Sequence, residues 1–552
     1  MRLSFLVIFL LVVCASLAAA QTRDENWRKC SGSDAAAGIE GCTAALEHGH
    51  ETKENQAIAL SNRAIFHRQL QQYEQAIADD SASLNKRPGN AQTLNDRGVN
   101  YKSLGQFDKA IADYDAAIQL LPNYADAYLN RGAAYDGKQL YDRAIEDYFM
   151  ALELKPGLAV AHFNRGIAYT RKRQFQLALA DFESYIQAEP QDPDGYLRHG
   201  MALVGMGRFD QAQGDFDHAL RLNPNLAQAY FQRAHCYYEA KQYAKVADDL
   251  TSYLRFQPGD ADALNARGDS YARIEQYDNA IADYTQMIRL DQKNPYGYYN
   301  RGVSYRQKRQ YREALADAVA YNARRPDDRD GYVQLGQDYD MIGDWTKAID
   351  SYTKAIELST GWADGYRARG DSYRLQGNYQ RAIEDCTHAL EIDPVSWEAL
   401  FSRGLAFYAA GQTANALADF RRAVREAKTP YDVSYRALWL HLAEKRLGHD
   451  DAADMEGNAA RMDMADWPSP IIRYFRGQMT AEQLWAAASN TNPDKDRNRK
   501  CEVNFYIGDL ALIAGDSATA AARLPLAQEQ CPHSFYEYVG AVAELKRLGQ
   551  GK

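Results

Sequence analysis

No GxSxG, HExxH, paired CxxC or glycine-rich phosphate loop occurs anywhere in the 552 residues. Those absences remove the commonest nucleophile, metal and phosphate chemistries, so the sequence reads as that of a non-enzyme with no cofactor and no metal. "HGH" at His48–His50 brings two imidazoles together without a third ligand, and reads as a solvated loop ahead of a zinc site. Positive charge is short as well: 64 Lys and Arg against 74 Asp and Glu leave a formal charge of −10. A nucleic-acid partner is therefore not expected, because phosphate binding needs a basic stripe. Long apolar runs are confined to the first twenty residues, and no later segment is apolar enough to cross a membrane. Cysteine is scarce, at seven, and all but Cys14, Cys236 and Cys386 lie toward the two ends in two spaced pairs.

What the sequence has in abundance is one phrase. "AIADYDAAIQLLPN" from Ala110 returns as "AIADYTQMIRLDQK" from Ala280 and "AIEDCTHALEIDPV" from Ala382. Glycine keeps a 34-residue beat through Gly98, Gly132, Gly166 and Gly200, then Gly268, Gly302, Gly336, Gly370 and Gly404, with Ala234 in the gap. Proline keeps the same interval from Pro88 through Pro122, Pro156, Pro190 and Pro224 to Pro258. Within one period, Tyr128, Gly132 and Tyr135, then Ala144, Tyr148 and Ala151, recur at three-to-four spacing and predict two amphipathic helices. Gly132 and Ala144 allow close approach, and Pro156 ends the second helix because it lacks an amide donor. One such hairpin cannot bury its apolar face alone, so hairpins must stack. The order Gly, Tyr, Ala, aromatic, Pro at this period resembles the tetratricopeptide repeat (TPR) family. The resemblance implies an all-α fold, a TPR solenoid forming a right-handed superhelix of stacked helix-turn-helix units with capping helices. Eleven repeats, starting at 57, 91, 125, 159, 193, 227, 261, 295, 329, 363 and 397, are expected over residues 57–430. Most of the 38 tyrosines fall on the core columns of these repeats.

One polar column also repeats. The residue before the repeat glycine is Arg63, Arg97, Arg131, Arg165, His199, Arg233, Arg267, Arg301, Arg369 or Arg403, and its partner column runs from Asp79 and Asp113 to Asp385 and Asp419. The repeat at 329 has Leu335 and Ser351, losing base and acid together. Joint loss predicts an ion pair between the two helices of each unit, structural in role and worth about 1 kcal/mol where partly exposed.

The ends depart from the pattern. Residues 1–20, with Arg2, an apolar run and Ala18 and Ala20, read as a cleaved secretory signal, ahead of a lipoprotein site at Cys14. After cleavage the chain is not expected to be transmembrane. Residues 21–56 are expected to form a degenerate helix pair with Cys30 facing Cys42. Residues 431–500 read as linking helices and a loop, "NPDKDRNRK" being exposed loop. Residues 501–552 read as a terminal repeat and capping helix, with Cys501 beginning one helix and Cys531 ending the next. The two pairs are expected either to clamp the solenoid ends as disulfides or to stay as buried thiols.

With no catalytic constellation, the function reduces to binding. In TPR arrays the first helix of each unit lines the concave face, through the residues three before and one after the glycine. Here those are Leu129, Phe163, Leu197, Phe231, Tyr299, Val333 and Phe401, with Val99, Ala133, Ile167 and Met201. They either line a groove for a partner's peptide segment or helix or simply pack neighbouring helices. Further along, Arg306, Arg367, Asp371 and Arg374 would make the groove charged. "DWPSPIIRYFRGQMTAEQL" from Asp466 and "HSFYEYVGAVAELKRLGQ" look like the C-terminal part of periplasmic TPR lipoprotein adaptors of Gram-negative bacteria. That resemblance implies a periplasmic or secreted scaffold for other proteins, such as cell-wall hydrolases or proteases. The alternative is an envelope polysaccharide-binding or export scaffold whose exposed tyrosines stack on sugars. Nothing in the pattern specifies an oligomeric state.

Overall fold

A computed structural model describes residues 22–47, 51–462 and 464–549. The expected signal segment, Cys14 and His48–His50 lie outside the described residues. All regular structure among the described residues is helical, and those residues divide into two compact units, one ending at Pro258 and the other starting at Gly259.

The first unit opens with a helix over residues 22–30 and a second at Ala35–Glu47. Cys30 and Cys42 are joined between them at an S–S distance of 2.04 Å. Six hairpins follow, from Lys53–Gln69 with Tyr73–Lys86 to Ala227–Glu239 with Tyr243–Leu254. The hairpin Ala125–Gly137 and Tyr141–Leu154 shows why these residues fold so. A Cβ placed on Gly132 would sit 2.7 Å from the Tyr148 ring, so the ring packs directly on the first helix's backbone. Tyr114, Phe182 and Phe216 fill the same place in neighbouring units, against Gly98, Gly166 and Gly200. The second helix then stops at Leu154, just short of Pro156. Within this unit, each second helix up to Phe209–Leu222 packs on the first helix of the next pair, and first helices of neighbouring pairs also touch, which places them on the tighter side of the stack.

The predicted ion pair is present and does more than join two helices. Arg131 grips Asp147 with both Nε and Nη2, at 2.8 and 2.7 Å. Its Nη1 reaches back to Asp115 of the preceding unit at 2.5 Å. Arg97 likewise holds Asp113 and donates to Ser81 at 3.1 Å, and Arg233 holds Asp249 and reaches Asp217 at 2.6 Å. Burial pushes the Asp147 carboxyl up while Arg131 pulls it down. The two-pronged contact in turn raises Arg131. At Leu335 and Ser351 the contact is gone, and the Ser351 hydroxyl donates to the Lys347 carbonyl of its own helix.

The second unit carries five hairpins, from Ala261–Arg273 with Tyr277–Leu290 to Trp397–Ala409 with Thr413–Glu426. A cap of further helices follows: Pro430–Arg446, Ala452–Ala459, Ser469–Phe475, Ala481–Ala488, Pro493–Ile513, Ser517–Gln530 and Tyr536–Arg547. Its core centres on Trp439, fully buried against Tyr408, Phe420 and Phe505. Cys501 and Cys531 are bonded at 2.01 Å, while Cys236 and Cys386 are free and buried.

One expectation fails here. "NPDKDRNRK" is no loop: helix Pro493–Ile513 runs through it, so Cys501 lies in mid-helix instead of at its start. Asn492 caps the first turn, Pro493 stands at N1, Asp494 and Asp496 face the positive end of the helix dipole, and Lys500 pairs with Asp496 at 2.9 Å. The charge run is an exposed helical face.

Candidate interaction surface

The first-helix face is built by one short spacing. Val160, Phe163 and Ile167 fall at i, i+3 and i+7 of helix Ala159–Arg171, and so share a side. Val160 is 51% exposed at the start of the helix. Behind it, Phe163 leans on Tyr185 and Phe182 of its own hairpin, with ring centroids 4.7 and 6.0 Å apart. Ile167 and Met201 are half-buried at the edge of the core formed by Phe182, Leu203 and Phe216.

The column three residues before the glycine is mainly packing. Leu197 is only 4% exposed and presents nothing to a partner, which corrects its expected place in the groove. Leu129 packs half-buried on Tyr148 and Leu152. Phe231 meets Tyr253 at 5.0 Å and Tyr299 meets Tyr321 at 5.1 Å, repeating the Phe163–Tyr185 contact one hairpin type at a time. Val333 is half-buried. The signal for the truly accessible position lay six residues before the glycine, where Val160 and, in the second unit, Tyr296 stand exposed. Those positions belong to the same helical side but sit in the first turn, beyond the reach of the partner helix. Between neighbouring hairpins within each unit, side chains bridge first helices: Asn130 donates to Asn95 at 3.0 Å, and Asn300 to Asn265 at 2.9 Å.

Toward the end of the second unit this face is occupied by the chain itself. Phe401, Leu405, Tyr408 and Ala409 of helix Trp397–Ala409 are all buried. Tyr536 stands edge-on to Phe401 at 5.1 Å, Tyr408 donates to Asp509 at 2.7 Å, and Arg547 caps the Ala409 carbonyl at 3.0 Å. Phe401 therefore belongs to the core, against expectation. The charged stretch is likewise spent internally. Arg306 pairs with Asp338 at 2.9 Å, and Arg367 and Arg374 both hold Asp371, at 3.1 and 3.2 Å. Arg374 is buried beneath the Tyr536 ring, 5.7 Å from its centroid. Sequence periodicity could not show this, because the covering helix lies outside the repeats.

Among the described residues no helix is long and apolar enough to cross a membrane. Nor is there a group of three or more His, Cys, Asp or Glu able to hold a metal among them.

Sequence models described as TPR repeat match residues 98–139 and 268–308, and models described as tetratricopeptide repeat match 125–158, 197–261, 299–362 and 367–432. Among solved structures, the chain is similar to YrrB, described as a TPR protein with an unusual peptide-binding site, at 25% identity over 32% of this chain and 92% of that one, with a TM-score of 0.30. It is similar to a tetratricopeptide repeat protein from Parabacteroides merdae at 20% identity, over 43% and 92%, with a TM-score of 0.36. Yeast Tom70 matches at 15% identity over 73% and 99%, with a TM-score of 0.31. The 34-residue register, the stacked hairpins and the matched repeats together place this chain in the tetratricopeptide repeat family.

Proposed function

We propose that the chain is a non-enzymatic interaction scaffold that holds a segment of a partner protein against the first-helix face of residues 125–205. The observation that carries this reading is Val160, an exposed apolar side chain on a face backed by Phe163 and Ile167. Extended segments and amphipathic helices both present alternating or three-to-four-spaced anchors that such a face can accept. The two disulfides fit work in an oxidising compartment, the periplasm or outside the cell. The likeness of the C-terminal segment to periplasmic adaptors directs the search for partners to cell-wall hydrolases and proteases.

The test compares two surface variants in affinity capture from envelope extract. Val160→Glu is expected to lose the captured partner at least tenfold. Phe149→Glu, at a 50% exposed position on the second helix Tyr141–Leu154, is expected to keep it. Equal capture by both variants would remove the assignment of the face.

A further inference from the structure

The cap of the second unit holds a cavity of about 450 Å³ that shares no residue with the face of residues 125–205, so its reading stands apart from the scaffold proposal. Trp397, Phe401, Tyr431, Tyr435, Phe535 and Tyr536 form its walls. Tyr431 is 60% exposed, and the cavity reaches solvent there. Glu502 and Glu537 also line it, and both are buried.

The contacts of these two acids are with neutral donors. Trp467 Nε1 and the Tyr435 hydroxyl reach Glu502 at 2.9 and 3.2 Å, and the Tyr506 hydroxyl reaches Glu537 at 2.8 Å. Arg499 and Arg374 act on them only from a distance, being engaged by the Trp467 ring and by Asp371. Burial pushes both carboxyls up, and Glu537 adds to the push on Glu502. A second buried acid pair in the same cap is treated differently. Asp509 and Glu544 are each met by Arg446, at 2.5 and 2.7 Å. What the first pair lacks is a countercharge.

The walls are of a kind that holds cations. Arg436 already lies 3.7 Å from the Trp397 ring centroid and 5.2 Å from that of Phe401. Its charge is matched by Asp432 at 3.2 Å, so it does not neutralise the two glutamates. The volume is that of a small-ligand site.

We propose that this cavity binds an alkylammonium group, with the ammonium on Glu502 and Glu537 and the methylene chain along Tyr431, Tyr435 and Tyr536. A lysine side chain of a partner protein and a free primary amine both supply that group. The test titrates the intact, disulfide-bonded protein by calorimetry with acetyl-Gly-Lys-Gly-amide, its norleucine and glutamate counterparts, and n-butylamine. The lysyl peptide is expected to bind at least tenfold more tightly than the norleucyl and glutamyl peptides. Butylamine at least tenfold weaker than the lysyl peptide identifies a partner's side chain as the source, and butylamine as tight identifies a free amine. The double variant Glu502→Gln, Glu537→Gln is expected to lose at least tenfold in lysyl-peptide affinity. Norleucine binding as well as lysine, no binding of either the lysyl peptide or butylamine, or full affinity in the double variant would overturn the proposal. If the double variant fails to fold, as a melting curve shows, the lysine-to-norleucine ratio on the unaltered protein decides alone.

Discussion

The repeats and the C-terminal cap both bury carboxylates, and they neutralise them by opposite means. In nine of the eleven repeats the column aspartate is met by an arginine sixteen residues earlier, so the countercharge is local, periodic and legible. In the cap, Asp509 takes its arginine from sixty-three residues earlier, through Arg446, and Glu502 and Glu537 take none. Local pairing can be added with every repeat; long-range pairing has to be assembled once, by a packed core. The difference means that a lost partner should be tolerated in the array and not in the cap.

The largest effect is expected at Arg446. Arg446→Met leaves Asp509, whose carboxyl burial has pushed up to about 6, with the Tyr408 hydroxyl as its hydrogen-bond donor and only weaker, more distant help from Arg547. Removing one partner of a buried pair costs about 3–5 kcal/mol, so urea denaturation should show a large fall in the midpoint of the second unit. The array should behave otherwise. Arg131→Leu alone strands Asp147 and should cost about 1–3 kcal/mol. Arg131→Leu with Asp147→Ser copies Leu335 and Ser351 and should recover part of that loss, and a double-mutant cycle with no coupling would contradict the pairing.

A third change tests an acid that breaks the array's own rule. Asp80 sits where neighbouring repeats carry Tyr114, Tyr148 and Phe182, and it is fully buried. Burial and the nearby Asp96 push it up to about 8, against weaker help from Arg68, Asn100 and Arg97. The folded chain thus keeps this proton while the unfolded chain loses it near the ordinary carboxyl pKa of about 4, so this group's contribution to stability falls as pH rises from about 4 to about 8. Asp80→Asn should therefore raise the melting temperature at pH 8 and change it little at pH 4. The smallest effect is expected at the turn between hairpin helices. Gln139 adopts φ of 60°, where the equivalent turns place Gly105 and Gly207. Gln139→Gly should stabilise by at most about 1 kcal/mol, read from the same urea curves.

The array was legible because its physics repeats. Gly132 against Tyr148 recurs in seven of the eleven hairpins and Arg131 against Asp147 in nine, and comparing hairpins exposes what each column does. The first-helix face was less legible: periodicity could not tell Leu197, shut in the core, from Val160, exposed in the first turn of its helix. In the cap the Cys501–Cys531 bond was legible but the packing was not, since Tyr536 over Phe401 and Tyr408 on Asp509 join residues more than a hundred positions apart with no repeat to announce them. "NPDKDRNRK" misled for a related reason, because a polar run reads as loop unless the Asn-Pro start and the Asp496–Lys500 spacing are weighed as helix signals.

The most direct test of the account places a photo-crosslinking benzophenone at position 160 in one protein and at position 149 in another, and irradiates each in envelope extract. A partner adduct from position 160 and none from position 149 is the expected result. An adduct from position 149 alone, or equally from both, would contradict recognition by the first-helix face.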